Sequence, residues 1–275
     1  MTSPENTLIA RRDLPLFGKR VLFCTPRNYA QKLARLLVAH GALPVWTPTI
    51  VIEPLESHAE LDDAIRNLAD YDWIAFTSRN GIEAFFKRLA ALDLDASALS
   101  GIRISALGND GKLLEAQGVT VDLLPAAAST RGVVDELQQR GVTSGRILLP
   151  VPEVFGMDEP SVIPDFVGWL EELGLETRRV PAYATHRVTG GLETEIALLC
   201  NDGIDVVAFT SVAEIDSLLF LLGEHSAALA RQTIACYGPV TANGARQRDL
   251  RVDIVADNYS AFEGYIEALE DYFRA

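Results

Sequence analysis

Asp72-Trp-Ile-Ala-Phe-Thr-Ser78 recurs as Asp205-Val-Val-Ala-Phe-Thr-Ser211, identical at Asp, Ala, Phe, Thr and Ser. Each copy is a short apolar run without alternation, the pattern of a strand covered on both faces, and each leads into a helical pattern. Ile82, Phe85, Phe86 and Leu89 fall at i, i+3, i+4 and i+7, as do Ile215, Leu218, Leu219 and Leu222. The repeat extends outward in both directions. Downstream, Ile104 to Gly108 answers to Ile234 to Gly238, and Val121-Asp122 with Ser129 answers to Val252-Asp253 with Ser260. Upstream, Arg20-Val-Leu-Phe with Gly41 and Pro48 is mirrored by Arg146-Ile-Leu-Leu with Gly174 and Pro181. The second copy is longer here, and its surplus falls in or near Val151 to Pro160. Four matches in one order point to duplication. The βαβαβα order, twice over, predicts an α/β fold of two doubly wound domains with parallel sheets and right-handed crossovers. A helix over Gln31 to Ala39 is expected to stop at Gly41. The proline-containing stretches Pro44 to Pro54 and Arg178 to His186 read as crossings between domains, because proline fits a central strand poorly.

The chain has 275 residues, 48% hydrophobic, 23% charged and 8% aromatic, enough for two ordinary domains with buried cores. Its formal net charge is −14, from 24 Lys+Arg and 38 Asp+Glu. Such a field repels polyphosphate and anionic membrane surfaces, so neither nucleic acid nor membrane is an expected partner. An anionic small molecule would need a local exception to that charge. Cys24, Cys200 and Cys236 are odd in number and form no CxxC, which suggests a reducing cytoplasm. Met1 to Phe17 lacks an apolar core, so no export signal is expected, and no stretch approaches 18 uncharged apolar residues. His40, His58, His186 and His225 are scattered, so no metal site is expected.

In open parallel sheets, ligands bind beyond the carboxyl ends of the strands, near helix N-termini. Thr77-Ser78 and Thr210-Ser211 stand there. Ser and Thr also cap helices without any ligand, and that is the simpler reading of either copy alone. Two copies that both keep Thr-Ser suggest donor loops gripping one ligand from two domains. Gly108 and Gly238 end further strands, with Thr241 in Gly238-Pro-Val-Thr-Ala242. Thr25-Pro-Arg27, Arg79, Asn80, Lys112 and Arg131 follow predicted strand ends, although each cation reads equally well as a surface charge. Tyr183 lies in a proposed crossing, where its phenol would serve as a general acid or pack as an aromatic. Asp122 and Asp253 read as strand-edge structure. No GxGxxG, GxxxxGK[ST] or catalytic triad is present.

In Asp72 to Ile82, Pro181-Ala-Tyr-Ala-Thr185, Phe209-Thr-Ser211 and Gly238 to Ala242, in that order, the chain resembles the uroporphyrinogen-III synthase family. The resemblance implies two α/β domains joined by a two-stranded linker around a cleft: residues 18–45 with 185–275, residues 52–178, and linkers at 46–51 and 179–184. It implies a monomeric, cofactor-free lyase. The implied substrate is hydroxymethylbilane, a linear tetrapyrrole that the family closes with loss of its hydroxyl and inversion of the last ring. By position, Tyr183 resembles the proton donor to the leaving hydroxyl. Thr25, Arg27, Thr77, Ser78, Arg79, Asn80, Gly108, Arg131, Thr210, Ser211, Gly238 and Thr241 are the candidate substrate contacts. Two segments depart from the family pattern: Gly108-Asn-Asp-Gly111, where Thr-Ala is usual, and the acidic, proline-rich Val151 to Pro160. The competing expectation is a non-catalytic two-domain binding or regulatory protein, an inactive synthase homologue included, closing on a small anion.

Overall fold

The computed structural model describes residues 12–274, so the expectation about an export signal lies partly outside the described residues. In chain order the strands are β1 (Arg20–Phe23), β2 (Leu43–Trp46), β3 (Ile50–Glu53), β4 (Trp73–Ala75), β5 (Arg103–Ser105), β6 (Arg146–Phe155), β7 (Glu176–Arg187), β8 (Val206–Phe209), β9 (Thr233–Cys236) and β10 (Ile254–Val255). The helices are α1 (Arg27–Ala39), α2 (Ala59–Arg66), α3 (Arg79–Ala91), α4 (Asp110–Ala116), α5 (Thr130–Gln139), α6 (Val162–Glu172), α7 (Glu193–Cys200), α8 (Val212–Leu222), α9 (Pro239–Arg246) and α10 (Phe262–Arg274). Among the described residues, no helix is long and apolar enough to cross a membrane.

The chain divides into two compact units, residues 12–51 with 186–274 and residues 52–185. The first holds the sheet β10-β9-β8-β1-β2, in which β1 pairs in parallel with both β2 and β8. Alternate strand residues enter different cores, because successive side chains point to opposite faces. Val21, Phe23, Val206 and Ala208 pack on α1 and α10. Leu22, Val207, Phe209 and Ile234 pack on α7, α8 and α9. That is a doubly wound sheet. The second unit repeats the arrangement on the sheet β3-β7-β6-β4-β5, where β4 is parallel to β5 and β6. Ile74, Ile104 and Leu148 face α2, α3 and α4, while Trp73, Ile147 and Leu149 face α5 and α6. Each fully buried large side chain contributes about 1.5–3 kcal/mol.

The duplicated aspartates show why the repeat keeps them. Asp205 Oδ2 accepts from the Arg20 N–H at 2.8 Å, and Asp72 Oδ2 accepts from the Arg146 N–H at 2.8 Å. Each satisfies the first N–H of the neighbouring strand, which the ladder leaves open. Asp122 and Asp253 accept from the N–H groups of Ile104 and Ile234, the second residues of β5 and β9, at 2.8 and 2.9 Å. Gly41 and Gly174 end α1 and α6 at φ +91° and +98°, the left-handed region that disfavours side chains.

Three expectations shift in detail. Helix α1 starts at Arg27, ahead of Gln31, because Pro26 at φ −57° sets up the first turn before the apolar stripe begins at Ala30. The surplus residues of the second copy lengthen β6 to 10 residues against 4 in β1. The proline-bearing crossings are themselves strands: Pro44 lies in the edge strand β2, but Pro181 lies in β7, between β3 and β6. Proline therefore did not keep that stretch out of a sheet interior.

Candidate active site

In the unit of residues 52–185, the chain leaves β4 through Phe76 and Thr77 to Ser78, the N-cap of α3. Ser78 is extended (φ −158°) and its Oγ accepts from the Gly81 N–H at 3.2 Å. The same hydroxyl lies 3.1 Å from the Tyr183 phenol, delivered by β7. Asn80 is a second hydrogen-bonding partner of that phenol. Position 81 favours glycine, since a Cβ there would press on the Pro150 carbonyl oxygen at 3.0 Å. Tyr183 is only 8% exposed. Burial pushes its pKa up, the Ser78 and Asn80 hydrogen bonds oppose this, and the Asp110 carboxylate adds to it. The phenol thus carries its proton at neutral pH, as a donor requires.

Asp110 opens α4 just after Gly108, which turns at φ +50°. Burial pushes its carboxyl up to about 6, with Arg79 opposing and Glu83 reinforcing. The Arg79 Nε stands 4.0 Å from Asp110 Oδ1. Tyr183, Ser78, Arg79 and Asn80, expected as site residues, therefore share one cluster with Asp110. Thr77 is part-buried beside Ser78. Arg131 has other partners: its Nε donates to Asp135 at 2.9 Å, and its guanidinium lies 5.3 Å from the Trp169 ring centre. Lys112 is exposed on α4.

In the other unit, Ser211 caps α8 by accepting from the Glu214 N–H at 3.3 Å. The Glu214 side chain turns back and takes both donors of Thr210: the N–H at 2.7 Å and the hydroxyl at 2.5 Å. Thr210 was expected to offer those donors to an anion, yet an internal carboxylate already occupies them. Thr241, buried on α9, donates to the Thr210 carbonyl at 3.2 Å. Gly238 is favoured by space and not by its φ of −169°, because a Cβ would come 3.0 Å from the Tyr259 ring. Thr25 is fully buried with an unpartnered hydroxyl, and its carbonyl accepts from Trp46 Nε1 at 2.9 Å. In this structure it is withdrawn from any ligand. Arg27 is exposed at the first position of α1.

Burial pushes the Glu214 carboxyl up to about 7, against hydrogen bonds from Thr210 and Ser211 that favour the ionised form. Asp110 and Glu214 are the two residues whose roles the sequence reading missed. The signal for Glu214 was present: it lies four residues before Leu218, on the buried stripe of α8, where an acid is out of place. Asp110 stood inside a loop already noted as atypical. Among the described residues, no group of three or more His, Cys, Asp or Glu is placed to hold a metal ion.

Residues 31–264 match the family described as Uroporphyrinogen-III synthase HemD. The chain belongs to the uroporphyrinogen-III synthase family. It is 28% identical over 268 residues to a protein of Synechococcus elongatus named uroporphyrinogen-III synthase, covering 95% of this chain and 98% of that one. It is 27% identical over 256 residues to the Ruminiclostridium josui porphyrin biosynthesis protein HemD, covering 93% of this chain but 49% of that protein, so it spans about half of that relative's length. A crystal structure of a mutant uroporphyrinogen III synthase from Thermus thermophilus superposes with a TM-score of 0.68 at 18% identity, covering 94% and 99% of the two chains. Likeness at that identity speaks for the fold, the two-domain α/β architecture expected from the repeat. Membership in the uroporphyrinogen-III synthase family favours the enzyme reading over a non-catalytic binding protein.

Proposed function

We propose that this chain is an active uroporphyrinogen-III synthase that closes hydroxymethylbilane with loss of its hydroxyl and inversion of the last ring. The observation that carries the reading is the Tyr183 phenol, buried, protonated and hydrogen-bonded to the Ser78 cap at the carboxyl end of β4. Tyr183 gives its proton to the departing hydroxyl, which leaves as water, and a delocalised azafulvene cation remains. Fixed dipoles and the Asp110 carboxylate stabilise that cation without reorganising, the form of stabilisation that costs least at the moment of reaction. Arg79 and the Ser78–Asn80 turn at the N-terminus of α3 receive substrate carboxylates, as helix N-termini do. In the unit of residues 12–51 with 186–274, Ser211, Gly238 and Arg27 are the further candidate contacts. Holding the two ends of a linear tetrapyrrole together is a positioning task worth several kcal/mol.

The steps draw on side chains and backbone dipoles alone, so the reading takes the enzyme to be cofactor-independent. It also takes the chain to act as a monomer, in a reducing cytoplasm and without nucleic acid. The net charge and the three free cysteines support these last two points. The test is incubation with freshly generated hydroxymethylbilane and separation of the product isomers. Type III product is expected; type I alone, at the spontaneous rate, would sink the reading.

A further inference from the structure

Glu214 is 1% exposed, and no step of the proposed reaction uses it. It nevertheless holds the Thr210–Ser211 turn of the unit formed by residues 12–51 and 186–274. One carboxylate oxygen holds the Thr210 N–H at 2.7 Å and the other holds the Thr210 hydroxyl at 2.5 Å, so the ionised acid sits where a ligand carboxylate would dock. The carbonyl of the same threonine is held by Thr241, which leaves the hydroxyl proton as the group free to change partner. We propose that Glu214 is a positioning residue for the substrate-binding turn: on protonation its O–H donates to Thr210 Oγ1, and the Thr210 hydroxyl proton turns outward to a substrate carboxylate.

The proton comes from solvent and no covalent bond to substrate is made. A neutral Glu214 also removes a buried negative charge from the first turn of α8, where it opposes anion binding. The groups that face it do not supply a permanent countercharge. Cys24 after β1, Cys236 on β9 and Tyr265 on α10 are all held toward their neutral forms by burial, and the α9 cation Arg246 acts on Cys236. Thr49, ahead of β3, donates to the Glu214 carbonyl at 3.3 Å. Burial pushes the Glu214 carboxyl up to about 7, so both protonation states are populated near neutrality.

This inference rests on the synthase reading and deepens it. The experiment is the KM for hydroxymethylbilane from pH 6 to pH 8 with the full chain and with Glu214→Gln. The intact chain should show a KM that rises roughly tenfold across this range, the scale of one charge-assisted hydrogen bond, while the variant's KM stays flat. Thr210→Val leaves the acid in place and should flatten the profile too, which keeps the test open if Glu214→Gln does not fold. Infrared difference spectra should show a protonated carboxyl at pH 6 that Glu214→Gln lacks. Parallel KM profiles, or no such band, would overturn the inference while type III product still forms. Type I product alone would break the synthase reading and this inference with it.

Discussion

At the end of β4 the Ser78 hydroxyl caps α3 and meets the Tyr183 phenol, whereas at the end of β8 the Ser211 hydroxyl caps α8 and Thr210 is clamped by Glu214. Both turns read Phe-Thr-Ser. The difference lies in one position, Gly81 in the first copy and Glu214 in the second, each three residues after its capping serine. A Cβ at Gly81 would press on the Pro150 carbonyl at 3.0 Å, and glycine brings no acid to the first turn, where Ser78 meets the phenol. Glu214 has room and folds back on its own turn. Duplication supplied two equivalent Phe-Thr-Ser turns; one residue made them chemically unequal.

Placing the second-copy residue in the first, Gly81→Glu, should break the comparison most severely. The side chain would collide with backbone and bury an unpaired carboxylate, costing about 4 kcal/mol in chemical denaturation. Next is the pH dependence of stability. The folded-state pKa of Glu214 is raised from 4.5 to about 7, so its favourable contribution is present below pH 4.5 and lost as pH rises through about 7. The loss is on the order of 3 kcal/mol, and Glu214→Gln should flatten the denaturation free energy over that window. A variant with an unchanged slope would show that the clamp is not titrating.

Tyr183→Phe should lower kcat about a hundredfold, at the low end of general-acid contributions, with little change in KM. Normal turnover would remove the phenol from the mechanism. The smallest effects belong to the caps. Ser78→Ala and Ser211→Ala should each cost about 1 kcal/mol of stability, and steady-state kinetics should separate them: the first lowers kcat through the phenol, the second raises KM.

Much of the candidate site's framework was legible once the repeat was seen. Thr-Ser at both strand ends, Tyr183 in Pro181 to Thr185 and the paired aspartates all have the expected chain positions, and Asp122 and Asp253 are structural as anticipated. What misled was treating exposed polar residue types as free donors. Thr25 is buried under the Trp46 contact, Thr210 is engaged by Glu214, and Arg131 is paired with Asp135 and stacked on Trp169. Each of those partners lies four or more residues away, and a residue type alone does not state which partner it meets.

The sequence by itself determined the duplicated, doubly wound α/β architecture, because two-sided burial of parallel strands forces continuous apolar runs and the copies repeat them in order. It also determined the family, through motifs whose order survives where identity is low. Tertiary structure alone decided that Asp110 joins Arg79 near Tyr183 and that Glu214 occupies the Thr210 donors. The electrostatics of a site depend on distance and burial, and a carboxyl's ionisation is set by what surrounds it in three dimensions.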